Sequence, residues 1–137
     1  MTLFDLTEKP GSWFEMEGGG RVQLKTISTD EWREIQKATV KKGPPEYPKL
    51  DDKYQRFQAD IVDGDLQMEM IWDKTILAWE NLMDKGGEPI PCTKEFKVKL
   101  MLMKSPAFRD FYLEKMKAID QAEAEQELVT EKNLSSG

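Results

Sequence analysis

A chain of 137 residues suffices for one compact domain with a real core and is too short for two ordinary ones. It is 39% hydrophobic and 34% charged, and its four Trp, six Phe and three Tyr supply anchors that disordered chains lack. The net charge of −6 repels phosphate backbones and excludes nucleic acid as the expected partner. No histidine occurs, which excludes Ser-His-Asp and Cys-His catalysis and the usual zinc sites. The single Cys92 cannot close an internal disulfide, and no leader-like segment opens the chain, so the expected location is the cytoplasm. No run approaches eighteen apolar residues, so no membrane association is expected.

Residues 1–12 read as an N-terminal arm, ended by Pro10-Gly11; the sequence leaves open whether it packs. From 13 to 27 the pattern alternates, with Phe14, Met16, Val22 and Leu24 sharing a face around Glu17-Gly18-Gly19-Gly20, which predicts a β-hairpin. A phosphate cradle is the weaker reading of these glycines, because Gly20-Arg21 opens a strand and lacks Gly-Lys-Ser/Thr. Ser28 and Glu31 have capping-box spacing and open a helix over about 29–42, with Trp32, Ile35 and Val40 inward and Gly43-Pro44-Pro45 as its stop. Lys37, Lys41 and Lys42 at its end complement the helix dipole.

Tyr54, Phe57 and Ile61 recur at spacings of three and four, predicting a short helix over 52–62. A longer one is predicted over 65–84 from the stripe Met68, Trp72, Thr75 or Ile76, Trp79, and Leu82 or Met83. Thr93 caps a helix over 94–103, and Ser105-Pro106 opens another over 106–119 carrying Phe108, Phe111, Tyr112, Met116 and Ile119. Residues 120–137 read as an acidic, fraying or disordered tail. The predicted fold is thus α+β, mostly α: an N-terminal β-hairpin followed by four or five helices in one domain spanning 13–119.

Asp60, Asp63, Asp65 and Glu69 form an acidic cluster, but aligning Gly64 to an EF-hand loop puts Ala59, Ile61 and Met70 where carboxylates are needed. A solvated helix start is the better reading, and no metal, cofactor or catalytic residue is assigned. Eight methionines and four tryptophans remain. Such side chains at helical spacing are more often core than interface, yet flexible thioethers suit surfaces that accommodate a partner. The partner-binding candidates are Trp13, Met68, Trp72, Trp79, Met101 and Met103.

The run Trp79-Glu80-Asn81-Leu82-Met83-Asp84-Lys85-Gly86-Gly87-Glu88-Pro89-Ile90-Pro91-Cys92-Thr93 resembles a segment of the tail assembly chaperones of long-tailed bacteriophages. There, a tryptophan-bearing helix end leads through an acidic glycine turn and a Pro-hydrophobic-Pro connector to a capped helix. The hairpin at 13–27 and Ser105-Pro106 with Phe108 and Phe111 fit the same pattern, while Cys92 stands where a residue such as phenylalanine is expected. The resemblance implies a non-enzymatic prophage protein that holds the tape-measure protein soluble until tail-tube subunits polymerise around it. The alternative reading is a small structural or regulatory adaptor that self-associates as a homo-oligomer or binds another protein.

Overall fold

A computed structural model describes residues 11–50 and 53–135. The expected N-terminal arm therefore lies outside the described residues apart from its last two positions, as do the final two residues of the tail. Strands β1 (Ser12–Glu15) and β2 (Arg21–Leu24) run antiparallel with Phe14 opposite Val22. Gly18 and Gly19 make the turn at φ 92° and 93°, a conformation that side chains strain to adopt. These strands are not a free-standing hairpin. On its other edge β2 pairs with β7 (Ile76–Glu80), giving a three-stranded sheet of order β1-β2-β7.

That third strand lies inside the expected 65–84 helix. The helix α2 covers only Gly64–Thr75, opened by the Asp63 carboxylate accepting from the Leu66 N–H, and passes directly into β7. The helical-looking stripe has a physical cause. Register shifts between Gln23 and Leu24, so that Gln23 faces Ala78 but Leu24 faces Ile76, leaving Leu77 as an extra residue. Such a bulge changes which side chains face the core. Ile76 and Trp79 are both buried at a spacing of three, which on a regular strand would put them on opposite faces and which sequence periodicity reads as helix.

Helix α1 (Thr29–Thr39) begins with both halves of the Ser28–Glu31 capping box and ends where Val40 becomes extended, three residues short of the expected end. Ile35 is buried, whereas Trp32, expected inward, is exposed. Beyond α1 the chain forms a long antiparallel ribbon. β3 (Val40–Lys42) pairs with β6 (Asp60–Val62), Glu46 bridges Phe57, and β4 (Lys49–Leu50) pairs with β5 (Lys53–Tyr54). The helix expected over 52–62 is therefore absent: its aromatic and β-branched residues suit a pleated ribbon, and the partner strand is held extended by Pro44, Pro45 and Pro48.

Helix α3 (Lys94–Met101) is capped by the Thr93 hydroxyl, and α4 (Ala107–Ser135) runs on through the segment expected as a fraying tail. The Thr26 hydroxyl donates to the Glu123 carboxylate at 3.2 Å, tying α4 to the chain after β2. The core lies between the three-stranded sheet and α2, α3 and α4. Val22, Leu24, Trp72, Ile76, Trp79, Met101, Phe108 and Tyr112 fill it, with Trp79 and Phe108 meeting edge to face at 6.1 Å. The expectation of a mostly helical chain led by one hairpin is overturned. Among the described residues the fold is α+β, with four helices and seven strands, and strand pairing recurs from β1 to β7.

Candidate partner-binding groove

The segment from Trp79 to Thr93 is a strand end followed by a small hairpin, where a helix end was expected. Asn81 turns the chain with a positive φ of 59°, a conformation asparagine tolerates better than most residues. The Asp84 carboxylate then accepts from the backbone N–H groups of Gly86 and Glu88 at 2.8 and 3.0 Å, and Gly87 sits at φ 78°. Met83 bridges Pro89, and the Ile90 N–H donates to the Leu82 carbonyl. The Trp79 indole N–H donates to the Ile90 carbonyl at 2.6 Å, so the returning strand of this hairpin is fastened to the core.

This hairpin forms one wall of a groove of about 260 Å³. The β1–β2 turn, from Met16 to Gly20, makes the second wall, and the α3–α4 junction with Leu100, Met103 and Phe108 makes the third. The first two walls approach each other closely at Gly20, where an added Cβ would fall 2.6 Å from Leu82 Cδ2. Three methionines, Met16, Met83 and Met103, line the space, and the last two are half exposed at its rim. Its volume lies below the roughly 300–1,000 Å³ of small-molecule sites. An apolar side chain or two projecting from another protein fits it better than a cofactor does, and unbranched thioethers adjust to their shape.

Of the residues nominated from sequence, only Met103 lines this groove. Trp72, Trp79 and Met101 are core residues at 7%, 8% and 1% exposure, closed to a partner while the domain is folded. Stripe periodicity marks burial as readily as contact, which is why it selected them. Trp13 is exposed on β1 with the Arg21 guanidinium 4.9 Å above its ring, and Met68 is exposed on α2; neither reaches the groove. Met16, Leu82, Met83 and Ile90 went unnominated because they come from separate turns. Their shared signal was apolar character flanking a glycine turn, at Gly18-Gly19 and at Gly86-Gly87.

The ionisable groups near the core have structural partners. Lys97, at 7% exposure, donates to the Asp73 carboxylate and carbonyl, both at 3.1 Å. Burial pushes the Cys92 thiol up from its ordinary value, with Lys97 opposing the rise, so the thiolate is disfavoured. Burial likewise raises Tyr112, whose hydroxyl shares a 2.8 Å hydrogen bond with Thr75. Of the acidic cluster, Asp60 pairs with Lys42 at 2.6 Å and Asp63 caps α2. Among the described residues no helix is long and apolar enough to cross a membrane. No protein family, curated protein or solved structure matches the chain.

Proposed function

We propose that this chain is a non-enzymatic tail assembly chaperone that binds the tape-measure protein of a long-tailed phage through the methionine-lined groove. One observation carries the reading: the segment that resembles the tail assembly chaperones is the hairpin that walls this groove, with Leu82, Met83 and Ile90 facing into it. A holding protein must grip an extended, apolar, largely helical client and release it again. A shallow groove of adjustable side chains on a negatively charged body suits that cycle.

Co-expression with the tape-measure protein encoded beside it tests the reading. The wild-type chain raises the client's soluble fraction and co-purifies with it. Met83→Glu and Met103→Glu, both at half-exposed rim positions, abolish co-purification while leaving the circular dichroism spectrum unchanged. A client equally insoluble with and without the wild-type chain would sink the proposal.

A further inference from the structure

The ribbon from Val40 to Val62 has two edges of different chemistry. Along the 53–62 side, which comprises β5, the Phe57 bridge and β6, the Gln55 N–H donates to Pro48, Phe57 exchanges both backbone bonds with Glu46, and the Ala59 carbonyl accepts from Gly43. The Asp63 N–H continues the series to Thr39. All four inward-facing residues are odd-numbered. By strand alternation, Tyr54, Arg56, Gln58, Asp60 and Val62 turn their N–H and C=O groups to the opposite edge. Among the described residues no strand pairs with that edge. The other strand carries Pro44 and Pro45, which donate nothing, between its inward-facing Gly43 and Glu46, whereas 53–62 contains no proline.

We propose that this edge pairs antiparallel with the same edge of a second copy of the chain, about a two-fold axis through Gln58. Outward residues must meet outward residues, which restricts the registers. With Gln58 opposite its own copy, Arg56 faces Asp60, Lys53 faces Asp63 and Tyr54 faces Val62, each pair occurring twice. A shift of two residues either way sets Arg56 opposite Gln58 or Val62, and a shift of four sets Arg56 or Asp60 opposite itself. Only the first register pairs both cations with carboxylates, Asp60 while it also holds Lys42 and Asp63 while it also caps α2, and an aromatic with a β-branched side chain, the favourable cross-strand combinations. The choice of a second copy rests on this self-complementarity of charge.

The ribbon also gains from such pairing. An isolated two-stranded ribbon is marginal in water, and Tyr54 and Phe57 are 72% and 54% exposed here. A four-stranded sheet across the dimer gives both strands paired neighbours and covers part of these side chains. The edge lies on the ribbon and not at the groove, so the proposal stands independently of the client reading. Nucleic acid fits the ribbon less well, since Asp60 neutralises Lys42 and Asp51-Asp52 follow β4 in the sequence.

Sedimentation equilibrium of the full chain is the test. The wild type shows a concentration-dependent monomer–dimer equilibrium, and Arg56→Asp and Asp60→Arg each weaken it by at least about tenfold because each substitution acts at two symmetric contacts. An equimolar mixture of these two variants dimerises again, since the new carboxylate of one copy then faces the new guanidinium of the other and the native pair forms at the second contact. Gln58→Pro removes an outward N–H at the axis and leaves a folded monomer. In a Cys92→Ser background, a thiol cross-linker shorter than about 10 Å joins copies carrying Gln58→Cys but not Arg56→Cys, whose thiols lie about 14 Å apart in this register. A strict monomer at about 1 mM, charge reversals without effect, or a mixture that fails to recover would each overturn the proposal. So would binding of a DNA duplex by the monomeric ribbon that Arg56→Asp abolishes.

Discussion

The body and the ribbon use the same kinds of residue to opposite ends. In the body, Trp79 and Ile76 on β7 are buried against β2 and the helices, with the indole N–H satisfied by Ile90. In the ribbon, Tyr54, Phe57, Ile61 and Val62 are at least half exposed and their strand has one open edge. The difference lies in layers. The sheet β1-β2-β7 has α2, α3 and α4 against it, while the described residues of the ribbon are exposed apart from Val40, Gly43 and Gln58. An aromatic residue therefore stabilises the monomer in one region and is available for contact in the other.

The sharpest way to break this comparison is substitution on each side of it. Trp79→Ala removes a buried indole and the bond fastening Ile90, and should cost about 3–5 kcal/mol in urea unfolding, with loss of the groove wall. If it costs under about 1 kcal/mol, β7 is not the centre of the core. Ser28→Ala, at the cap of the helix that leads from body to ribbon, should cost about 1 kcal/mol by the same measurement. Tyr54→Ser should change monomer stability by no more than about 0.5 kcal/mol, and a larger loss would mean the ribbon is part of the cooperative unit.

Two predictions concern protons. Burial raises Glu31, but its hydrogen bonds to Lys25 and to Ser28 outweigh that, and the carboxyl lies below its ordinary value. The folded state thus binds this proton less readily than the unfolded chain. Glu31 contributes stability in full above the unfolded value of about 4.5 and loses it as pH falls through the lower folded value. The urea midpoint of the wild type should fall toward that of Glu31→Gln as the pH is taken from about 6 to about 3. The smallest effect is kinetic: Cys92, raised by burial, should react with a maleimide more slowly at neutral pH than a free cysteine does. Labelling as fast as the free amino acid would contradict the half-buried site.

Much of the local chemistry was legible in the residues. Ser28, Thr93 and Gly18-Gly19 do in the structure what their types and spacings imply, because caps and turns are decided within a few residues. The ribbon and β7 were not legible. Tyr54, Phe57 and Ile61 recur at helical spacing without packing as a helix, and the Leu77 bulge gives Ile76 and Trp79 a helix-like period on a strand. The groove was partly legible, through Met103, while Met16, Leu82 and Ile90 share only their apolar character beside a glycine turn, which does not say that the two turns meet.

The sequence by itself determined where the chain turns, which helices are capped, that histidine chemistry is absent, and the negative charge of the molecule. Only the tertiary structure decided that Trp79 belongs to a strand and that three separate turns enclose one groove. It also decided that residues 53–62, through β5, the Phe57 bridge and β6, pair along one edge and leave the other open among the described residues. Caps and turns draw their energy from neighbouring backbone groups. Strand identity, burial and enclosure draw theirs from partners as distant in sequence as β2 and β7, whose pairing no local pattern encodes.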